Sequence, residues 1–254
     1  RLRKVATIES IGSSTRIEGA RLSDSEIEHL LSGLGRQRFR SRDEEEVAGY
    51  AEAMNLVFDA AANLSITENH IKQLHQILLK YSTKDLRHRG EYKKLPNHVE
   101  AFDADGKSLG VIFQTASPFD TPRRMQALLE WFNRETAARG HHALVLIALF
   151  IVHLLAIHPF QDGNGRLSRV LTTLLLLQAG YTYAPYASLE RVIEDSKDRY
   201  YLALRRAQGT LSSDNSRLGD WLLFFLNALK TQTRVLSNKL QRETDLLSTP
   251  TLSR

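Results

Sequence analysis

The chain is 254 residues long, with 34 Lys and Arg against 29 Asp and Glu and no cysteine, so a disulfide framework, thiol catalysis and thiolate metal sites are excluded. With 42% hydrophobic and 25% charged residues it has the composition of a globular protein large enough to bury a core without staples. The formal net charge of +5 is small and spread out, which predicts a solvated surface with local anion sites and argues against a nucleic-acid footprint.

The chain begins at Arg1 instead of Met and reads as a piece of a longer protein. Ser14 and Glu18 are four residues apart, which puts them on one helix face. Ser23-Asp24-Ser25-Glu26 has the pattern of an N-cap with acids in the first turn, and Ile27, Leu30, Leu31 and Leu34 follow at helical spacing. The basic run Arg36 to Arg42 precedes the acidic Asp43–Glu46 and reads as a solvated loop. Glu44–Ala62 carries Val47, Ala51, Met54, Phe58 and Ala61 on one stripe. Thr67 caps a helix over Glu68–Tyr81, with Ile71, Leu74, Ile77 and Leu78 inward.

Helical spacing stops between Gly90 and Pro122. Val99–Phe102 and Leu109–Phe113 are short apolar runs around Asp103–Lys107, a hairpin signal. Helices resume at Arg124–Thr136 and Leu144–Ile157. The apolar run Ala143–Ile157 is shorter than the roughly 18–20 residues of a membrane span, and His153 interrupts it. No leader pattern is seen, and the expectation is a cytoplasmic protein without a membrane partner. Further helices are expected over Ser168–Gln178, Ser188–Gln208 and Leu218–Leu247, with a frayed end over Ser248–Arg254. The coarse picture is all-α with one β-hairpin.

The segment that carries chemistry is His158-Pro159-Phe160-Gln161-Asp162-Gly163-Asn164-Gly165-Arg166-Leu167-Ser168-Arg169. An apolar helix runs into His158, where Pro159 stops it. Gly163 and Gly165 free the backbone for a tight turn, and a second helix begins near Arg166. A Gly-rich turn feeding a helix N-terminus gathers free N–H groups and partial positive charge. Arg166 and Arg169 project from neighbouring positions on that helix, so the turn reads as a phosphate cradle with two guanidinium clamps. Asp162 would repel a phosphate unless Mg²⁺ lay between them, which is how one carboxylate commonly holds that ion. His158 sits at the rim, able to take a proton near neutral pH. The loop fails as a calcium loop, because Arg166, Leu167 and Thr173 stand where ligands and a glycine are required. No Walker A motif is present.

At these residues the chain resembles the Fic family, matching His-Pro-Phe-x-Asp-Gly-Asn-Gly-Arg-x-x-Arg at every defined position. Leu74-His75 with Gly90-Glu91-Tyr92-Lys93, Tyr200-Tyr201 with Leu204, and Trp221–Phe225 resemble its flanking features. The resemblance implies an all-α Fic fold with a β-hairpin flap. It divides the chain into an N-terminal helical region (1–64), a core (65–207) and C-terminal helices (208–254). It further implies an enzyme, a protein adenylyltransferase that moves AMP from ATP, with Mg²⁺, to a hydroxyl of a target protein and releases pyrophosphate. By motif position, His158 is the general base, and Pro159 and Phe160 fix the loop. Asp162 holds Mg²⁺. Gly163, Asn164 and Gly165 line the anion hole, and Arg166 and Arg169 bind the outer phosphates.

Ser14-Thr-Arg-Ile-Glu18-Gly19 resembles the family's inhibitory signature, in which the glutamate pairs with the second motif arginine, here Arg169. The target is unspecified, with the chain itself among the candidates and a homo-oligomer among its assemblies. The alternatives are other transfers on this scaffold (UMP, phosphate, phosphocholine), removal of AMP through the inhibitory glutamate, and a non-catalytic nucleotide sensor linked to DNA binding. His153, His141, His142, His70 and His75 lack metal-pair spacing and read as ordinary histidines, and Tyr200 and Tyr201 as core or pocket wall.

Overall fold

The computed structural model describes residues 2–33, 39–97, 99–102, 108–211, 213 and 216–248. Leu34, Arg36–Arg38, the hairpin tip Asp103–Lys107 and the segment 249–254 lie outside the described residues. Among the described residues the chain forms α1 (Leu2–Ile17), α2 (Asp24–Ser32), α3 (Arg42–Ala60), α4 (Glu68–Leu78), β1 (Val99–Phe102), β2 (Ser108–Phe113), α5 (Thr121–Ala138), α6 (Ala143–Ile157), α7 (Asn164–Gln178), α8 (Leu189–Glu194), α9 (Lys197–Gln208) and α10 (Leu218–Ser248), with 3-10 turns at Ala61–Asn63 and Ala184–Tyr186.

Helix α6 is apolar on every side and is therefore a core helix. Leu146, Ile147, Ala148, Phe150, Ile151 and Val152 are all buried, and α5, α7, α9 and α10 pack around it. Trp221 of α10 is buried and donates its Nε1–H to Ala148 O at 2.7 Å, which fixes α10 across α6. Helix α7 runs back from the turn after α6 and is buried along most of its length. Helix α1 packs against α8, α3, α2 and α7.

The capping signals hold. Ser23 forms a full capping box with Glu26, and Thr67 accepts from His70 N. Ser41 accepts from Glu44 N, so α3 starts at Arg42. Arg42 is thus the first residue of a helix, and for it the solvated-loop reading is corrected. The stretch expected as one helix from Ser188 to Gln208 is two, because Ser196 leaves the helical region (φ −128°, ψ 31°) and its N–H turns to Ile193 O at 3.0 Å, which ends the α8 ladder. Helix α1 shows no apolar stripe to predict it, since its buried face includes Ser10, Ser13, Ser14 and Thr15. The hairpin forms as expected, β1 antiparallel to β2 with Val99 opposite Phe113 and Phe102 opposite Ser108. Among the described residues no helix is long and apolar enough to cross a membrane.

Candidate active site

The site is the turn between α6 and α7. His158 closes α6 in the left-handed region (φ 53°, ψ 61°), its N–H donating to Leu154 O at 2.9 Å. Such a backbone in a non-glycine residue is costly and persists where the surroundings over-determine it. Its Nδ1 lies 3.2 Å from Leu155 O. A carbonyl only accepts, so Nδ1 carries the hydrogen and Nε2 keeps a lone pair. Burial lowers the pKa of His158 to about 4, with Lys93 acting in the same sense against the Leu155 bond, Glu18 and Asp162. The imidazole is neutral at physiological pH and available as a base.

Phe160 is fully buried. Its ring stacks on His75 at 3.8 Å between centroids and lies tilted against Tyr92. The Asn164 side chain clamps the turn, its Oδ1 accepting from Phe160 N at 2.9 Å and its Nδ2 donating to Phe160 O at 2.7 Å. This corrects the anion-hole reading for the Asn164 side chain, which faces the loop and leaves only its backbone N–H for an anion. Gly163 adopts φ 78° and precedes α7, whose N-terminus no side chain caps. Those N–H groups and the helix dipole make an anion site. Gly165 leaves room for the inhibitory side chain, since a Cβ there would collide with Glu18 Oε1 and displace it.

Asp162 Oδ1 accepts from Gly163 N at 2.6 Å and lies 3.4 Å from Arg166 Nη2, while Oδ2 accepts from Arg42 Nη2 at 2.8 Å. Burial would raise its pKa, but Arg166, the Gly163 N–H and Arg42 hold it below the usual carboxylate range. Arg166 is 2% exposed, with Nη1 3.0 Å from Glu46 Oε2. Arg169 is buried and donates from Nε to Ser14 Oγ at 2.7 Å, and from Nη2 to Ser14 O at 3.0 Å and Glu18 Oε1 at 2.7 Å. Its Nη1 is buried without a partner. Desolvation works against the Arg169 charge, yet Glu18 and the facing tyrosine oxygens raise its pKa. Desolvation likewise works against ionised Glu18, yet Arg169, Arg166 and His158 lower its pKa. The two motifs, 151 residues apart from Glu18 to Arg169, therefore meet.

Sequence reasoning missed five supporting residues. His75, read as ordinary, is buried with Nε2 2.9 Å from Asp162 O and Nδ1 accepting from Gly90 N at 3.0 Å. Lys93 is buried and donates to Asn97 Oδ1, Thr115 Oγ1 and Ile157 O at 2.7, 2.8 and 3.1 Å, so an ammonium closes the C-terminus of α6. Burial and Arg124 lower its pKa to about 8. Asn97 donates to Phe160 O at 2.6 Å, and Lys93 N to Pro159 O at 2.8 Å, which ties the approach to the hairpin to the turn between α6 and α7. Arg42 and Glu46 bind Asp162 and Arg166. The signal for His75, Tyr92 and Lys93 was their place in a segment that carried the family resemblance; no pattern marked Arg42. Tyr200 is buried against Trp221 and Phe224. Tyr201 is 39% exposed.

Among the described residues no group of three or more His, Asp or Glu could hold a metal by itself. A lone, anionic and partly exposed carboxylate beside an uncapped helix N-terminus fits Mg²⁺ held mainly through phosphate oxygens and water. The partnerless Nη1 of Arg169 is a donor left for such a phosphate.

A model described as the Fic/DOC family matches residues 65–176. Protein adenylyltransferase Fic of Drosophila grimshawi is 31% identical over 183 residues, 71% of this chain and 35% of that protein, and that of Drosophila melanogaster is 30% identical over the same length. The chain thus spans about a third of the length of these curated relatives (35% and 34%). Among solved structures, a Fic domain containing signaling protein from Bacteroides thetaiotaomicron superposes with TM-score 0.73 at 27% identity, over 93% of this chain and 86% of that one. A Fic family protein from Desulfovibrio desulfuricans superposes with TM-score 0.75 at 25% identity, over 94% of this chain and 66% of that one.

Proposed function

Residues 65–176 belong to the Fic/DOC family, and on that premise we propose that this chain is a protein adenylyltransferase that moves AMP from ATP to a hydroxyl side chain of a target protein and is held off by Glu18. The observation that carries the reading is the placement of a free His158 Nε2 at an uncapped helix N-terminus beside two buried guanidiniums. Nε2 takes the proton of the attacking hydroxyl. The new bond forms between that oxygen and the α-phosphorus, the bond from the α-phosphorus to its bridging oxygen breaks, and pyrophosphate leaves. The first-turn N–H groups of α7, Arg166 and Arg169 bind the phosphates. Asp162 would hold Mg²⁺, which when bound neutralises phosphate charge. The β1–β2 hairpin, tied to the turn through Lys93 and Asn97, lies where an extended target segment could add as a strand.

The resting arrangement supports inhibition over transfer as the state described. Arg169 spends its fork on Ser14 and Glu18, and the Glu18 carboxylate stands over Gly165, where a phosphate would need the helix N-terminus. We place the protein in the cytoplasm. The deciding experiment is intact mass of the protein and of lysate proteins after incubation with ATP and Mg²⁺. A gain of one AMP is expected, and a gain of one phosphate, or none even for a Glu18→Gly variant, would overturn the reading.

A further inference from the structure

Outside the twelve-residue motif, α3 contributes a pair of charges that close a ring with it. Arg42 donates from Nε to Glu46 Oε1 and from Nη2 to Asp162 Oδ2, both at 2.8 Å. Glu46 Oε2 lies 3.0 Å from Arg166 Nη1, and Arg166 Nη2 lies 3.4 Å from Asp162 Oδ1. The ring has a fixed half and a movable half. The Glu46 and Arg166 side chains are 10% and 2% exposed, whereas those of Arg42 and Asp162 are 47% and 36% exposed.

We propose that Arg42 is a counter-cation of Asp162 that occupies the metal carboxylate until a divalent ion displaces it. The inference rests on the reading of Asp162 as the Mg²⁺ ligand. Both oxygens of Asp162 are engaged, Oδ1 by Gly163 N–H and Arg166, and Oδ2 by Arg42. Of these partners Arg42 is the one on an exposed side chain, so it is the one that can leave. A divalent ion on Oδ2 would face a guanidinium at bonding distance, and like charges repel most where solvent is partly excluded. Release costs little, because Arg42 keeps Glu46 through Nε one turn along α3, and only its Nη2 contact is given up. Arg42 is thus a positioning residue. It keeps an otherwise repelling carboxylate compensated at the mouth of the phosphate cradle, and it sets how much divalent ion the site needs.

The test is a titration of the full chain with Mn²⁺ alone, followed by paramagnetic broadening of the Gly163 and Gly165 amide signals, which reads the site without activity. Arg42→Gln should bind Mn²⁺ about twofold to fivefold more tightly than the parent, the size expected for a partly exposed ion pair, and added salt should shrink the gap. Arg42→Lys keeps the charge but cannot span Glu46 and Asp162 with one fork, so it should fall between the two. Asp162→Asn should abolish the broadening in every background. Equal or weaker binding by Arg42→Gln, with the Asp162→Asn loss intact, would overturn the role of Arg42 alone. Broadening that survives Asp162→Asn would overturn the metal reading, and the inference with it.

Discussion

One carboxylate oxygen, Glu18 Oε1, accepts from Arg169 Nη2 at 2.7 Å and also stands where a Cβ on Gly165 would have to go. Helix α1 therefore delivers a negative charge both to the clamp and to the helix N-terminus, the two features that would bind a phosphate. The delivery is held in place at a distance from the chemistry. Arg16, two residues before Glu18, donates to Glu194 Oε1 of α8 at 2.7 Å and to Asp24 Oδ1 at 2.9 Å, and Ser13, Ser14 and Thr15 are fully buried.

A Gly165→Ala variant separates those two effects. The added methyl collides with Glu18 Oε1, so the contact with Arg169 should be lost, yet the same methyl fills the cradle that the phosphates need. Labelling from α-labelled ATP should be no higher than in the parent, and nucleotide binding should be weaker. Labelling as strong as that of Glu18→Gly would mean that the backbone of Gly165 takes no part in the anion site.

His158→Ala should lower transfer by about 10²–10⁴-fold, the range for a positioned base, while nucleotide binding measured by calorimetry stays near that of the parent. The pH profile follows from the direction of the shift. Burial holds the His158 pKa at about 4, so the neutral base is present above that value and is lost as pH falls through it. In a Glu18→Gly background kcat/KM should show no histidine limb between about pH 6 and pH 8. Removing the Glu18 charge, which raises this pKa, should move any acid limb lower still. A limb centred near the ordinary histidine value of about 6.5 would count against a buried neutral base.

What was legible in the sequence was chemistry that comes packaged in contiguous residues. The turn from His158 to Arg169 announces itself because proline, two glycines, a histidine and two arginines each have a local reason to be there. Caps at Ser23 and Thr67 use short-range hydrogen bonds and could be read on the spot, whereas the Ser41 cap lay inside a run read as a loop. Helix α1 gave only its Ser14–Glu18 spacing, because its buried residues mix Ile8, Ile11 and Ile17 with Ser10, Ser13, Ser14 and Thr15 and make no clean apolar stripe. The supports of the site hid for another reason. His75, Lys93, Asn97, Arg42 and Glu46 act through contacts 61 to 120 residues away along the chain in the cases that matter most, such as Asn97 to His158 O and Arg42 to Asp162. No periodicity encodes such distances. The break at Ser196 was invisible because the apolar spacing continues on its far side, through Tyr200 and Leu204.

His75 makes a prediction about stability. It is buried, with a pKa lowered to about 4, mainly by burial, against about 6.5 in an unfolded chain. Between those values the unfolded chain binds a proton that the folded one refuses, so stability rises with pH across this window and is lost as pH falls. The slope approaches about 1.4 kcal/mol per pH unit for each such group. His75→Phe keeps a ring against Phe160 but leaves Gly90 N without its acceptor and Asp162 O without its donor. Denaturant unfolding at pH 7 should show a loss of about 1–3 kcal/mol, and a shallower decline toward acid than in the parent. Parallel declines would show that His75 is not held neutral in the fold.

The last prediction joins the two ends of the chain. Arg169 is 3% exposed and offers one planar fork, already divided between Ser14 and Glu18. While Glu18 holds Nη2, the guanidinium cannot offer Nη1 and Nη2 together to a phosphate. Glu18→Gly should therefore raise productive ATP binding and transfer together, because it frees both Arg169 and the α7 N-terminus. Arg169→Ala removes the clamp as well as the lock, so it should label less than Glu18→Gly and no better than the parent. The double variant should behave like Arg169→Ala, since with no clamp there is nothing left for Glu18 to withhold. Additivity distinguishes this from two unrelated effects: residues in contact are expected to depart from it. Transfer from α-labelled ATP by the four proteins decides the matter. Equal labelling by the parent and Glu18→Gly would mean that α1 is a structural helix and that its glutamate only neutralises a buried arginine. A double variant as active as Glu18→Gly would mean that Arg169 serves the fold and not the nucleotide.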